Sequence, residues 1–230
     1  MSDLADAAAQ AVRMIASGDR EVVAAVSASL RFSVASTALA SALGIPAGVA
    51  LASARFRLRR LVVDVLNTML AVPTVVIGLF VYTLVFSQGP LGRYRLLFTP
   101  AAIVLGQVVL ILPLVTALVC GAVSVVDPAV RTTARTLGAG AWRATWTVAR
   151  EARTAIVVAT VTAFGRVVGE VGISMILGGN IAGYTRTITT AIALQTSKGE
   201  FALGLALGMV LLAVAFSVNV AIRLLGGRRT

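Results

Sequence analysis

The sequence predicts an all-α integral membrane protein with five transmembrane helices, and three observations lead to this prediction. Apolar residues make up 58% of the 230-residue chain and charged residues 13%, against about 45–50% and about 25% in soluble domains. The mean hydropathy is +0.96. Long runs lack any charge, and they do not alternate apolar and polar residues as barrel strands do. We therefore interpret residues 1–230 as a single transmembrane domain.

The five predicted spans are runs long enough to cross a hydrocarbon core of ~30 Å, which takes about 20 helical residues. Four runs contain no charge, namely Phe32–Ala54, Val65–Gly92, Ala101–Val126 and Phe201–Ile222. The fifth, Thr154–Gly178, carries only Arg166 and Glu170. Small residues four apart let helices approach closely, and this spacing occurs at Gly44/Gly48, Gly165/Gly169 and Gly204/Gly208.

Prolines fall inside the first three runs, at Pro46, Pro73 and Pro113. A proline within a helix removes a backbone hydrogen bond and kinks the helix. Pro73 has Thr68 and Thr74 nearby, which favours a bend that lines a pathway. A static kink is the alternative at each of the three positions.

The N-terminal segment, residues 1–21, is predicted to be an amphipathic helix at the membrane interface. Its apolar residues recur at helical spacing, at Leu4, Ala8, Ala11, Val12 and Ile15. It begins with acidic rather than basic residues, so it does not have the pattern of a signal peptide.

The distribution of basic residues predicts the orientation. Twelve of the twenty lie after the first span, after the third span or in the C-terminal tail, at Arg55, Arg57, Arg59, Arg60, Arg131, Arg135, Arg143, Arg150, Arg153, Arg223, Arg228 and Arg229. Cytoplasmic loops are enriched in Lys and Arg, which places the N-terminus outside and the C-terminus inside. The net charge of +11 is thereby explained by topology, and we expect no nucleic-acid partner.

The connection between the third and fourth spans, residues 126–153, is predicted to be a cytoplasmic helical hairpin. Asp127 and Pro128 are typical of a helix start, and Gly138 is typical of a helix end. A second helix is expected from Ala141, with Trp142 and Trp146 on one face. Such a hairpin could dock into another protein, or it could be an interfacial turn anchored by tryptophans.

Residue types exclude several kinds of chemistry. The chain has no histidine and a single cysteine, Cys120, which removes disulfides, His-based catalysis and thiol–metal clusters. Its one lysine, Lys198, follows a serine, whereas a Walker A loop requires Gly-Lys before Ser or Thr. We therefore expect no catalytic residues, no bound metal and no ATP site on this chain.

The hairpin resembles the EAA loop of ABC-importer permeases. That loop reads Glu-Ala-Ala, three residues, Gly, nine residues, Ile-x-Leu-Pro. Ala134, Gly138 and Val148 fit in register, and the departures are Thr132, Thr133, Arg150 and Glu151. Further segments resemble the molybdate-type and tungstate-type permeases, at 67–78, 164–181 and 183–187. The Ser17-Gly18-Asp19 segment and residues 150–153 are most similar to the tungstate branch.

This resemblance implies a fold like that of type I ABC-importer permeases. It implies a homodimer in a bacterial or archaeal plasma membrane, a cytoplasmic P-loop ATPase dimer that binds the ATP, and an extracytoplasmic substrate-binding protein. The expected cargo is a tetrahedral oxyanion, tungstate first, with molybdate or sulfate as alternatives. The hairpin would couple to the ATPase through Ala134, Arg135, Leu137, Gly138 and Trp142.

Candidate residues of the translocation pathway are Thr68, Pro73, Thr74, Arg166, Glu170, Asn180 and Arg186. Arg166 and Glu170 are four apart, so they are expected to pair within the fourth span, either as a structural clamp or as a group that handles the anion. The outer segment Asn180–Glu200 would form a basic vestibule or a plain exposed loop.

Two other function classes remain open at this point: an ion-coupled secondary transporter or channel, and a non-transporting membrane scaffold.

Overall fold

The computed structural model describes residues 2–54 and 57–226, with side chains from residue 7 onward. This part of the chain is helical and contains no strand. Its helices are α1 (Ser2–Ser17), α2 (Arg20–Ser53), α3 (Arg59–Leu70), α4 (Thr74–Val85), α5 (Pro100–Ser124), α6 (Pro128–Thr136), α7 (Ala141–Glu151), α8 (Arg153–Val168), α9 (Gly172–Gly178), α10 (Ile188–Lys198) and α11 (Phe201–Gly226). A short 3₁₀ turn, Gly92–Tyr94, precedes α5.

The all-α membrane fold is confirmed, but two of the five predicted spans are not continuous helices. Among the described residues, α2, α5 and α11 are each long and apolar enough to cross a membrane. The other two spans are bent pairs, with 100° between α3 and α4 and 61° between α8 and α9. The described chain therefore has three spans, or five if each bent pair is one span.

The first break lies at Pro73, where the sequence predicts a bend, but the span is interrupted there rather than kinked as one continuous helix. Pro73 occupies the N-cap position of α4, with φ −58° and ψ 134°. A proline disfavours the helical conformation in the residue before it, so α3 stops at Leu70 and the chain turns before α4 begins. Pro46 and Pro113, in contrast, lie within α2 and α5 as predicted.

The second break, between α8 and α9, contains no proline. Gly169 is the C-cap of α8, and Gly172 begins α9. Glycine has a low helix propensity, and a side chain can replace the interrupted backbone hydrogen bonds. Glu170 does so, since its Oε1 accepts a hydrogen bond from the backbone N–H of Ile173 at 3.3 Å.

The packing core is the contact between α2 and α5. A Cβ on Gly48 would lie 2.7 Å from the carbonyl oxygen of Thr116, and one on Gly44 would lie 2.9 Å from a methyl group of Val115. The close approach predicted for this glycine pair is therefore confirmed. In the second pair only Gly165 lies at a close approach, since its added Cβ would be 2.9 Å from a methyl group of Val218, whereas one on Gly169 would meet nothing within 4 Å. The third pair, Gly204 and Gly208, is looser, with the nearest atom to an added Cβ at 3.8 Å.

The N-terminal segment is helical, as predicted, and packs against α11. Ala11 is fully buried, whereas Val12 and Ile15 are exposed. Asp19 caps α2 through Oδ1, which accepts hydrogen bonds from the N–H groups of Glu21 and Val22. The first long helix therefore begins at Arg20, twelve residues before the predicted span.

Candidate translocation and coupling sites

The two helix breaks meet in space because α4 packs against α9. A Cβ on Gly172 would lie 3.2 Å from Thr74 Oγ1 and 3.4 Å from Glu170 Oε1. The same atom would lie 3.1 Å from a methyl group of Val75. Two candidates from separate spans, Thr74 and Glu170, are thus brought into one neighbourhood, which we call the break junction (Thr74, Arg166, Glu170, Gly172).

Glu170 connects three elements at the break junction. Its side chain is 3% exposed and its Oε2 accepts a hydrogen bond from Arg166 Nη1 at 3.1 Å. Its Oε1 holds the first turn of α9 through Ile173. Its backbone carbonyl accepts a hydrogen bond from Thr189 Oγ1 of α10 at 2.8 Å. Glu170 is therefore an interior residue of the chain.

Arg166 lies differently from its partner. It is in the last turn of α8, while Glu170 is beyond the end of that helix, and 44% of the Arg166 side chain is exposed. A charged group in contact with lipid near mid-bilayer costs roughly 2.5–3.5 kcal/mol on insertion scales. The expected ion pair is present, but Arg166 must face either water or another protein surface.

Thr68 and Pro73 lie on the two sides of the 100° bend that precedes the break junction. Thr68 is exposed on α3, across the 100° bend, and its hydroxyl donates a hydrogen bond to the carbonyl of Asp64 at 2.8 Å. Pro73 is exposed at the start of α4. Beyond it, α4 presents an exposed apolar face formed by Val75, Val76, Leu79 and Phe80.

The outer segment is a folded unit, so the interpretation as a plain exposed loop is wrong. It contains α10, whose start is closed by a capping box between Thr187 and Thr190. Four threonines are buried there: Thr185, Thr187, Thr189 and Thr190. The backbone N–H of Ile188 donates a hydrogen bond to Ser29 Oγ of α2 at 2.7 Å. The polar composition of this segment therefore serves internal hydrogen bonds.

Arg186 is engaged in an ion pair rather than standing free on a basic rim. Its Nη1 donates a hydrogen bond to Glu21 Oε1 at 2.7 Å, and Gln195 Nε2 donates to the same oxygen at 3.0 Å. Asn180, with φ +53°, supplies its carbonyl to Arg186 Nη2 at 3.5 Å. Lys198 is exposed at the end of α10. Sequence reasoning missed Glu21, because a partner 165 positions away leaves no local signal.

The hairpin is built as its caps predict. Asp127 Oδ1 accepts a hydrogen bond from the N–H of Ala129 at 2.8 Å, and Pro128 begins α6. Gly138 has φ +87°, the left-handed region that favours glycine. Arg131 Nη2 donates a hydrogen bond to Ser53 Oγ at 2.8 Å, so α6 is attached to the end of α2.

The tip of the hairpin presents side chains away from the rest of the chain. Leu137 is 83% exposed and Trp142 is 79% exposed, although both are large and apolar. Arg135 is exposed and Ala134 is half-buried. Large apolar groups exposed together at the turn between two short helices are typical of a surface that another protein covers.

Comparison with known proteins identifies the family. A family model described as "Binding-protein-dependent transport system inner membrane component" matches residues 44–230. The chain belongs to this family. It is a transport pore subunit of an ABC importer and not an enzyme, since ATP hydrolysis takes place on a separate subunit. The permease therefore associates with an ATPase and a substrate-binding protein, and it is an inner membrane component.

Individual relatives match the permease along nearly its whole length. The tungstate uptake system permease protein TupB of Peptoclostridium acidaminophilum is 36% identical, covering 96% of this chain and 97% of its own. TupB of Campylobacter jejuni is 40% identical, covering 91% and 88%. A probable anion ABC transporter permease of Haloferax volcanii is 40% identical, covering 90% and 92%. The molybdenum transport permease ModB of Azotobacter vinelandii is more distant, at 31% identity.

Proposed function

We propose that this permease forms the membrane pathway for tungstate in an ATP-driven importer. The observation that carries the proposal is the similarity to two tungstate uptake permeases at 36–40% identity over 91–96% of the chain. Relatives named for molybdenum transport share 31–34% identity, so molybdate is the second candidate and sulfate the third. The family membership argues against the secondary transporter and the scaffold that the sequence alone left open.

The pathway is proposed to run past the break junction, between two copies of the chain. Two features support this placement. Arg166 carries a charge that a lipid environment would penalise, yet it is 44% exposed on the single chain. The neighbouring face of α4 is exposed and apolar. A second copy on this side would cover that face and give the arginine a protein or water environment.

The roles of Arg166 and Glu170 follow from their different burial. We propose that Glu170 is a structural clamp, because its carboxylate holds both Arg166 and the first turn of α9. Arg166 is the member of the pair that reaches the proposed pathway, where its positive charge attracts an oxyanion. Glu170 then limits how tightly that anion is held, since it neutralises part of the charge.

The hairpin 126–153 is proposed to be the docking site for the ATPase. Its support is the exposure of two large apolar side chains at the hairpin tip, Leu137 at the end of α6 and Trp142 at the start of α7. The excess of arginines on the same side favours a cytoplasmic location, which places the N-terminus outside and the C-terminus inside. ATP-driven closure of the ATPase dimer would move the two hairpins together and switch access to the pathway.

The substrate assignment is tested by uptake into proteoliposomes that contain the permease, its ATPase and its binding protein. We expect ATP-dependent accumulation of labelled tungstate, weaker accumulation of molybdate and none of sulfate. Preferred uptake of sulfate or molybdate would overturn the tungstate assignment. Uptake that persists without ATP would contradict the importer mechanism itself.

A further inference from the structure

A groove with a volume of about 420 Å³ lies where α2, α7 and α8 come together. Its inner wall is apolar, formed by residues of α2 and of the first half of the bent span, α8: Ile45, Pro46, Val49, Ala50, Ile156 and Val157. Its other wall is α7, with Trp142 and Trp146 at 79% and 54% exposure. The groove is therefore an open apolar slot beside the connection between the hairpin and the membrane.

Two arginines line the same groove at the junction of α7 and α8. Arg150 and Arg153 are both exposed. The Arg150 guanidinium lies over the Trp146 ring, 5.6 Å from its centroid, a cation–π arrangement that fixes the charge at the groove. Glu151, the acidic neighbour of Arg150, is not among the residues that line it.

The charged and the apolar residues of the lining are separated, so the groove is complementary to an amphipathic ligand. Arg150 and Arg153 lie where the chain leaves the membrane, and the adjoining apolar wall belongs to helices of the predicted spans. Tryptophans concentrate at the level of lipid headgroups, and basic pockets between membrane helices bind anionic headgroups. We propose that this groove binds an anionic phospholipid, with the phosphate on Arg150 and Arg153 and an acyl chain along α2 and α8.

A lipid fits this groove better than a protein surface does. A second copy or an ATPase would have to match both a charged rim and an apolar floor that continues into the membrane-spanning part of α8, where Val157 is 45% exposed. A phospholipid has a charged headgroup joined directly to hydrocarbon chains, so a single molecule matches both parts of the groove. The bound lipid would brace the hairpin against the first span, where Arg131 already holds the end of α2.

The chain offers a direct optical test, because Trp142 and Trp146 are its only two tryptophans. The purified full chain is reconstituted in phosphatidylcholine vesicles with increasing amounts of brominated lipid, which quenches tryptophan on contact. Each basic residue near an anionic lipid contributes about fivefold in affinity. We expect brominated phosphatidylglycerol to reach half-maximal quenching at a mole fraction about ten- to thirtyfold lower than brominated phosphatidylcholine.

The decisive variant is Arg150→Gln/Arg153→Gln, which is expected to lose this preference while its helicity by circular dichroism is unchanged. The matched control, Arg60→Gln/Arg223→Gln, removes the same charge outside the groove and is expected to keep the preference. Equal loss in both double variants would show general charge attraction and overturn the proposal. So would equal quenching by the two lipids, or no quenching by either, since the latter means that protein fills the groove.

Single variants keep the proposal falsifiable if the double variant does not fold. Arg150→Gln and Arg153→Gln are each expected to reduce the preference for phosphatidylglycerol by about fivefold. An unchanged preference in both would overturn the assignment. None of these measurements involves the transported anion, so their outcome is independent of the proposed tungstate transport.

Discussion

The α2–α5 contact and the α4–α9 contact hold the same bundle together by opposite means. In the first, two uninterrupted helices approach closely at Gly48, against the backbone of Thr116, and at Gly44, against the side chain of Val115. In the second, both helices start at a break, and they approach each other around Gly172 and at Gly78, which lies against Ile173 and Ile176. The first pair has the properties of a scaffold, and the second places a buried carboxylate and a half-exposed arginine beside interrupted backbone.

The polar groups in the two regions differ in the same way. Between α2 and α5, Ser36 Oγ donates a hydrogen bond to Gln107 Oε1 at 2.9 Å, and both residues are buried. This neutral bond is satisfied within the chain and adds about 1 kcal/mol. At the break junction the bonds involve full charges, and one of the charges reaches the surface of the chain. The comparison indicates that stability is concentrated in α2–α5 and function at α4–α9.

The largest effect is expected from placing a bulky side chain in the α2–α5 contact. Gly48→Leu would bring a side chain against the Thr116 carbonyl oxygen, 2.7 Å from the new Cβ. Backbone cannot move aside as a flexible side chain can, so we expect destabilisation of about 3 kcal/mol. Gly121→Leu on α5 is the matched control, because its Cβ would meet nothing within 4 Å.

The measurement is the thermal unfolding midpoint in detergent, together with the yield of monodisperse protein. Gly48→Leu is expected to lower both, and Gly121→Leu to leave both close to wild type. Equal behaviour of the two variants would show that the α2–α5 contact does not carry the stability of the bundle.

The next effect concerns the asymmetry of the break junction. Arg166→Gln leaves the Glu170 carboxylate buried without its cation, and the cost is below the roughly 3–5 kcal/mol of a fully buried pair because Arg166 is half-exposed. Glu170→Gln leaves a half-exposed arginine, which another protein surface or water can accommodate. We therefore expect Arg166→Gln to reduce assembly more than Glu170→Gln, and the double variant to recover part of the loss.

Assembly and uptake separate the two roles of the pair. Recovery of both in the double variant would support a purely structural clamp. Normal assembly of the double variant with no uptake would assign Arg166 to the anion pathway. A larger defect in Glu170→Gln than in Arg166→Gln would contradict the burial argument.

Features that depend on residues close in sequence could be predicted, whereas features that depend on residues far apart in sequence could not. The caps at Asp127 and Gly138 depend on residues within one helical turn, and they were predicted correctly. The Arg166–Glu170 pair also follows from a spacing of four. The break at Pro73 has a local cause as well, but an uncharged run of 28 residues favoured a single helix.

Interactions distant in sequence had no such signal. The ion pair between Arg186 and Glu21 joins residues 165 positions apart, and the hydrogen bond from Thr189 to Glu170 joins two elements treated as separate. For the outer segment the sequence therefore left a basic vestibule and a plain exposed loop as alternatives, and neither anticipates that four of its threonines are buried. Composition identifies polar residues but not whether water or protein satisfies them.

The smallest effect on stability is expected at Gly138, where glycine is required for conformation rather than for space. A Cβ there would meet nothing within 4 Å, but φ is +87°, which costs most other residues about 1–2 kcal/mol. Gly138→Leu is therefore expected to insert and fold, with a modest change in unfolding midpoint. If the hairpin docks in the ATPase, the altered turn would displace Leu137 and Trp142 and abolish substrate-stimulated ATP hydrolysis.

Gly138→Asn is the matched control, because asparagine tolerates the left-handed region, and it should retain most of the stimulation. Wild-type stimulation in Gly138→Leu would remove the hairpin from the coupling path, whereas loss in both variants would assign the requirement to the size of the side chain.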